Sequence, residues 1–226
     1  IYQESSMMAR LTRDYCDETV DEVFIDDKEF FDNFIGAKKL FLPHHDLKIE
    51  HHSDLTPIFS KHKIEKQVQT VYKRNINLPS GGNIVIDSTE ALVSIDVNSA
   101  RSTKGSDIEE TALNTNIEAA VEILTQLKLR DIGGLVVIDF IDMMSINSQK
   151  NVMRKVAEYA KKDKAKIQFA RISKFGLMEL SRQKLKSSII QNNYENCPTC
   201  DGTGQIKSLS SLAISVLRII EEEAIN

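Results

Sequence analysis

The chain has 226 residues, of which 41% are hydrophobic and 27% charged, with 9 Gly, 4 Pro and a formal net charge of −4. This composition excludes disordered, collagen-like and low-complexity chains, and the acidic balance alone does not predict a nucleic-acid partner. No apolar run approaches the ~20 residues of a membrane span, and three cysteines are too few for a disulfide scaffold, which indicates a reducing compartment.

The first 75 residues mix polar stretches with short apolar runs, so only the presence of elements can be predicted there. Histidine pairs at 44–45 and 51–52 suggest a metal site. Adjacent side chains on a strand point to opposite faces, however, and no cysteine lies nearby, so a polar loop is favoured. The lone Cys16 is predicted to be a small core residue. Nine acidic residues and one lysine between Asp14 and Asp32 give a balance of −8 and predict a solvated face.

A hairpin is predicted after the turn signal at 78–82, with strands at 83–87 and 91–96. Side chains alternate along a strand, so Asp96 and Asn98 project together near the carboxyl end of the second strand.

The next segments alternate between helix and strand patterns. Ser106 and Glu109 have the spacing of a capping box before a helical apolar pattern that reaches Leu127. The run 135–138 is apolar on both faces, as in a central strand covered on both sides, and it ends at Asp139. The remaining predicted elements are a helix at 148–162, a strand at 167–172 and a helix at 176–186. Together they predict a layered α/β domain over residues 76–194.

Two aspartates, Asp96 and Asp139, follow apolar strands at the ends where open α/β sheets place ligands. A carboxylate there must be solvated, paired or bound to a cation. Paired carboxylates without soft ligands favour Mg²⁺ or Mn²⁺, and Asn98 could orient the first carboxylate. Spacing alone leaves open the alternative that both aspartates cap strand ends or pair with arginines.

The motif CPTCDGTG, which contains Cys197 and Cys200, is half of a structural zinc site, since its glycines let backbone N–H groups approach the thiolates. Two ligands are missing, and a second copy of the chain could supply them across a two-fold axis. A redox CxxC is disfavoured because no thioredoxin-like βαβ pattern surrounds it. A simple turn with free thiols stays open.

Several long motifs in one order resemble those of the ribonuclease E/G family of bacterial endoribonucleases. They are LPSGGNIVIDSTEALVSIDVNSARSTKGSDIEETALNTNIEAAVEI, LRDIGGLVVIDFIDM, ISKFGLMELSRQKL and NCPTCDGTG. The resemblance implies a Mg²⁺-dependent hydrolase that cuts single-stranded, AU-rich RNA internally in rRNA and tRNA processing and mRNA decay. It also implies products with 5′-phosphate and 3′-hydroxyl ends.

The resemblance also implies roles for individual residues. Asp96 and Asp139 would bind the catalytic magnesium, with Asn98 holding the first of them. Cys197 and Cys200 would bind a zinc ion shared between two protomers of a homodimer, and the full-length protein would be a homotetramer. Lys166 stands where the family usually has an arginine.

In fold terms, the resemblance divides the chain into subdomains. It implies the end of a 5′-sensor/S1 region at 1–7, part of an RNase H-like subdomain at 8–75, a DNase I-like catalytic subdomain at 76–194, a zinc link at 195–204 and the start of a small dimerisation domain at 205–226. The chain is then a catalytic-region fragment of a cytoplasmic bacterial protein, whose other segments can attach it to the inner membrane.

Nine basic and two acidic residues between Lys161 and Lys186 give a balance of +7 and predict a phosphate-binding surface. On charge alone, the candidates for contacts with the RNA backbone are Arg101, Lys104, Lys166 and Arg171. Two further hypotheses are a zinc-knuckle module that binds RNA or protein, and an inactive homologue that binds RNA without cutting it.

Overall fold

The computed structural model describes residues 7–16, 20–100, 108–185, 188–189, 195 and 197–225. The chain divides into two compact units, Ile1–Thr70 and Val71–Asn226. Each unit has a hydrophobic core of its own. Among the described residues, no helix is both long enough and apolar enough to cross a membrane.

The first unit is a small α/β assembly. Its elements are α1 (Met7–Tyr15), β1 (Glu22–Ile25), α2 (Lys28–Phe41), β2 (Lys48–His51), α3 (Ile58–Lys61) and α4 (Glu65–Thr70). The two strands pair in parallel. Cys16 lies in the core with Ile25, Phe34 and Leu47, which confirms its predicted packing role. The histidine pairs are part of no group of three metal-binding side chains in the described chain.

The second unit contains a six-stranded mixed sheet. Its strands are β3 (Asn75–Asn77), β4 (Asn83–Ser88), β5 (Val93–Asn98), β6 (Gly134–Asp139), β7 (Ile167–Phe169) and β8 (Leu177–Arg182), in the spatial order β3-β4-β5-β6-β8-β7. Only β5 and β6 are parallel neighbours, because α5 (Ile108–Leu129) connects them. The other helices are α6 (Ile146–Ala160) and α7 (Leu209–Ile225). The predicted hairpin and the helix at 148–162 are confirmed, with shifted ends. The helical pattern that reaches Leu127 is confirmed over Ile108–Leu129, and Ser106 of the predicted capping box lies outside the described residues.

Alternation along the strands turns one face of this sheet toward α5 and α6. The core combines apolar residues of the sheet and the helices: Ile84, Ile86, Val93, Ile95, Val136, Ile138, Met178 and Leu180 with Ala119, Ile123, Leu127, Val152 and Val156. The expectation that 135–138 is covered on both sides is wrong for the described chain, since Leu135, on the other face, is 45% exposed. An apolar run alone does not tell one covered face from two.

The predicted helix at 176–186 is wrong, because residues Leu177–Arg182 form strand β8. Within LMELSR, buried and exposed side chains alternate, which is the two-residue period of a strand. The segment also pairs with β6 on one side and β7 on the other. These long-range pairings override the local helical preference of Leu, Met and Glu.

One cation of the predicted basic surface points into the protein instead. Arg182 donates from Nε to the Asp163 carboxylate at 2.8 Å and from Nη1 to the Ile132 carbonyl at 2.9 Å. The side chains of Arg182 and Asp163 are only 2% and 5% exposed. This guanidinium therefore fixes the end of β8 and is not available to a phosphate.

Candidate metal centre

Asp96 and Asp139 lie side by side on the face of the sheet opposite to the one that packs on α5 and α6. β5 and β6 run parallel, and their register makes these two aspartates direct cross-strand partners. Both are exposed and lie toward the carboxyl ends of their strands, as the sequence predicts. Direct partners on adjacent strands have Cβ atoms about 5 Å apart, so one cation can contact both carboxylates.

Asn98 shares this face, two residues beyond Asp96 on β5. Its Nδ2 donates to Asp96 Oδ2 at 2.7 Å and to Asn83 Oδ1 at 3.4 Å. One oxygen of Asp96 is therefore held by a neutral donor, while no described residue donates a hydrogen bond to the other.

The pKa of Asp139 is raised by partial burial, by the negative charge of Asp96 and by that of Asp142. Like charges at this separation repel, and a divalent cation between them would remove the repulsion. Among the described residues neither Asp96 nor Asp139 forms an ion pair, and Arg74 pairs with Asp87 of β4 instead. Pairing of the two aspartates with arginines is therefore not observed among the described residues. Their carboxylate oxygens are ligands that fit a hard divalent cation.

Two side chains of α5 form hydrogen bonds with the backbone of the loop that carries Asp142. The fully buried Asn116 donates from Nδ2 to the Ile141 carbonyl at 2.8 Å and accepts from the Ile141 N–H at 3.0 Å. Glu109 accepts from the N–H groups of Met144 at 3.0 Å and Ser145 at 3.1 Å. These supports fix the backbone that continues directly from Asp139.

Sequence reasoning missed both supports. Hydrogen bonds from Ser148 and from the backbone N–H groups of Met144 and Ser145 lower the pKa of Glu109 and so favour its carboxylate form. The signal for Asn116 was a polar residue within the apolar stripe of a helix, which must find partners when buried.

Gly176 approaches the carboxylates closely in the turn before β8. It has φ +79, and a Cβ on it would lie 3.2 Å from Asp142 Oδ1 and 3.8 Å from Asp139 Oδ1. Its carbonyl accepts from the Phe140 N–H at 3.3 Å. Any larger residue would be strained and would push toward the carboxylate edge.

The four basic candidates fall in three places. Arg171 is exposed in the segment that leads to the Gly176 turn, at the carboxylate end of the sheet. The carbonyl of Lys166 accepts from the Gln183 N–H, six residues along from Leu177, the partner of Asp139. At 3.3 Å per residue this is about 20 Å away, so Lys166 is not brought to the aspartates. Arg101 and Lys104 lie outside the described residues.

The cysteine motif forms a tight knuckle. The Gly204 N–H donates to Cys200 Sγ at 3.3 Å, and the Asp201 N–H donates to the Cys197 carbonyl at 2.8 Å. Backbone N–H groups of Thr199 and Cys200 lower the pKa of the Cys197 thiol. The hydrogen bond to Cys200 Sγ and the N–H groups near the Cys197 thiol stabilise thiolates, and the thiolate is the form of cysteine that binds zinc.

Replacing Asn116 by Ala tests the support of the Asp142 loop. We expect the free energy of unfolding to fall by about 2–4 kcal/mol, since the partly buried N–H and C=O groups of Ile141 lose their partners. Chemical denaturation measures this. Asn114→Ala, at an exposed position of the same helix, should change stability by less than about 0.5 kcal/mol. Equal stability of the two variants would contradict the assignment.

Comparisons with known proteins identify the family of the chain. The model of the Ribonuclease E/G family matches residues 1–185, and a model described as RNase E/G, Thioredoxin-like domain, matches residues 196–226. Ribonuclease E of Haemophilus influenzae is 48% identical over 225 residues, covering 100% of this chain and 24% of that protein. Ribonuclease E of Escherichia coli is 48% identical over 228 residues, covering 100% of the chain and 21% of that protein.

Ribonuclease G of Escherichia coli is more distant, at 31% identity over 220 residues, covering 97% of the chain and 45% of that protein. The chain thus spans about a quarter of the length of the two ribonuclease E relatives. The matched family model extends from the first unit through β8 and includes both aspartates. On this match, which covers most of its length, the chain belongs to the ribonuclease E/G family.

Proposed function

We propose that the full-length protein containing this chain is a Mg²⁺-dependent endoribonuclease. It cuts single-stranded, AU-rich RNA to 5′-phosphate and 3′-hydroxyl ends, in rRNA and tRNA processing and mRNA decay. The observation that carries the proposal is the in-register pair Asp96 and Asp139 on the sheet face opposite to α5 and α6, in a chain of this family.

In this proposal Asp96 and Asp139 hold the Mg²⁺ ion. When bound, such a cation lowers the pKa of a coordinated water and neutralises charge on a phosphodiester. Asn98 keeps one Asp96 oxygen fixed by its 2.7 Å hydrogen bond, so the other oxygen keeps its direction. Asn116 and Glu109 hold the loop after Asp139. The protein's contribution is therefore a rigid pair of carboxylates, open to solvent on one side.

The RNA backbone would lie along the carboxylate end of the sheet. Among the four basic candidates, Arg171 is the described one that fits this path, because its segment leads into the Gly176 turn. Arg101 and Lys104 follow β5 closely in sequence and are proposed as further phosphate contacts. Lys166 would contact the RNA only if the RNA extends along the sheet to the end opposite the carboxylates.

We propose the same subdomain assignment as the resemblance implies. The six-stranded sheet with α5 and α6 would be the DNase I-like catalytic subdomain at 76–194, and the first unit would belong to the RNase H-like subdomain. The knuckle would be the zinc link at 195–204, followed by α7 in the small dimerisation domain.

A structural zinc ion needs four ligands, and in the described chain Cys197 and Cys200 belong to no larger metal-binding group. We propose that the same two cysteines of a second copy complete a Cys₄ site, which makes zinc part of the homodimer.

The double variant Cys197→Ser/Cys200→Ser is expected to lose zinc and to shift the full-length protein toward smaller oligomers, because each protomer then lacks both thiolates. Elemental analysis and light scattering measure the two effects, and Cys16→Ala serves as the control, since Cys16 lies in the core. An unchanged mass with zinc retained would defeat the proposal. A Cys197–Cys200 disulfide without zinc would favour a redox role.

The function is tested by incubating the full-length protein with a 5′-monophosphorylated, AU-rich single-stranded RNA in Mg²⁺ or in EDTA. We expect cleavage only in Mg²⁺, with 5′-phosphate and 3′-hydroxyl ends on the products. Cleavage in EDTA, or products with 2′,3′-cyclic phosphates, would contradict the metal-hydrolase proposal. RNA bound but left intact in Mg²⁺ would indicate the inactive homologue.

A further inference from the structure

An aromatic ring stands exposed on the turn beside the carboxylates. Phe175 is 71% exposed and directly precedes Gly176. The ammonium group of Lys174 lies 5.2 Å from the centre of the Phe175 ring. Exposure of an apolar ring to water costs free energy, and the Lys174 ammonium group lies beside this ring.

The turn that carries this ring is fixed by its own hydrogen bonds. The Gly176 N–H donates to the Ser173 carbonyl at 3.1 Å, and the Phe175 N–H donates to Ser173 Oγ at 3.2 Å. The Ser173 N–H donates to the Leu177 carbonyl at 2.8 Å, which joins the turn to β8. Phe175 is therefore held at a defined place, with only its side-chain torsions free.

That place is close to the proposed metal centre. The position of a Gly176 Cβ is 3.2 Å from Asp142 and 3.8 Å from Asp139, and neighbouring Cα atoms are about 3.8 Å apart. The Phe175 Cα therefore lies within about 9 Å of Asp139 Oδ1, so the ring begins close to the place that a phosphate at the carboxylates would occupy.

From this arrangement we infer that the Phe175 ring stacks on an unpaired base of the RNA, next to the scissile phosphate, while Lys174 contacts the backbone phosphate beside it. The inference rests on the proposed function. Single-stranded RNA is recognised by aromatic rings on which splayed bases stack and by cations that follow the backbone. A base within a duplex is not free to stack on the ring, so Phe175 is a positioning residue that favours single-stranded substrate.

The kinetic test uses Phe175→Ala, Phe175→Leu and Phe175→Trp in the full-length protein. Base stacking on an aromatic ring is strong enough that we expect kcat/KM on single-stranded RNA to fall about tenfold or more in the Ala variant. The Leu variant should stay low and the Trp variant should recover, since only Trp restores a ring. Full activity of the Ala or Leu variant would overturn the inference, and cleavage by the wild type shows separately that the proposed function holds.

An abasic scan locates the contact. Single abasic nucleotides are placed in turn at each position within three residues of the cleavage site. The loss caused by Phe175→Ala should vanish at one position, where wild type and variant then cut equally slowly. A loss of the same size at every position would overturn the inference and indicate that the ring contacts protein rather than RNA.

A binding measurement in EDTA decides the question independently of cleavage. An RNA with 2-aminopurine at the located position, or at each position in turn, should change its fluorescence on wild-type protein and not on Phe175→Ala. An identical change with both proteins would overturn the inference. Lys174→Gln should weaken RNA binding and reduce its salt dependence. Lys155→Gln should not, although Lys155 also lies beside an aromatic ring, 5.1 Å from the centre of that of Tyr159 in α6.

Discussion

Asp139→Asn in the full-length protein is expected to reduce Mg²⁺-dependent RNA cleavage about a thousandfold or more, since it removes one of two charged ligands. Asparagine keeps the size of the side chain but neither carries charge nor binds Mg²⁺ strongly. Initial rates at saturating Mg²⁺ measure the effect. Asp131→Asn is the matched control, because Asp131 precedes β6 at its other end and has φ +51, which asparagine tolerates.

Loss of the fold would not explain such a result. Burial, Asp96 and Asp142 raise the pKa of Asp139 in the metal-free protein. The folded state therefore disfavours the ionised form, and this cost is present at pH values above the raised pKa and absent at pH values below the unfolded one. At neutral pH the neutral asparagine removes the cost, so metal-free Asp139→Asn should unfold no more easily than the wild type. Cleavage within tenfold of wild type would contradict the role of Asp139.

The largest effect on stability is expected from Asp163→Ala, which leaves the buried guanidinium of Arg182 without its partner. Breaking a buried ion pair by removing one member costs about 3–5 kcal/mol of unfolding free energy. The control is Glu158→Ala, which breaks surface pairs with Lys155 at 2.9 Å and with Lys162 at 3.5 Å and should cost less than about 1 kcal/mol. Chemical denaturation measures the free energy of unfolding of both variants. Losses of equal size would show that the buried pair contributes no more stability than the surface pairs.

The buried pair of Asp163 and Arg182 also makes the free energy of unfolding depend on pH, in a defined direction. Burial by itself would raise the pKa of Asp163, but hydrogen bonds from Arg182 and from the Ala165 N–H hold it below its ordinary value. The stabilisation is therefore present above the unfolded pKa of about 3.9 and is lost as the pH falls toward the lower folded pKa. The wild type should lose stability in that acid range, and Asp163→Ala should lose less.

The central pair could be found from sequence because both aspartates end apolar strands. Alternation places Asp96 and Asn98 on one face, and the apolar run before Asp139 marks a strand. Their register, by contrast, depends on how α5 returns the chain to the sheet, which no local pattern specifies. Spacing alone thus placed two carboxylates at one edge of the sheet, but it did not show that they are direct partners and left open whether they bind a cation.

The errors arose where long-range contacts decide the structure. β8 has residues with good helix propensity, and pairing on both of its sides makes it a strand. Counting charge over 161–186 placed Lys166 and Arg182 on one surface, whereas register moves the first to the far end and burial turns the second inward. Asn116 breaks the apolar stripe of its helix, but its role could not be assigned from sequence because the partner of the buried side chain, Ile141, is known only from the fold.

Iron-directed cleavage of the polypeptide tests the central claim most directly, because it locates the cation itself. Fe²⁺ replaces Mg²⁺ in the full-length protein, ascorbate and peroxide are added, and the backbone cuts are mapped by mass spectrometry. We expect cuts around 94–98 and 139–142, suppressed by excess Mg²⁺ and absent in Asp139→Asn. Cuts confined to other segments, or the same cuts in Asp139→Asn, would contradict a metal centre formed by Asp96 and Asp139.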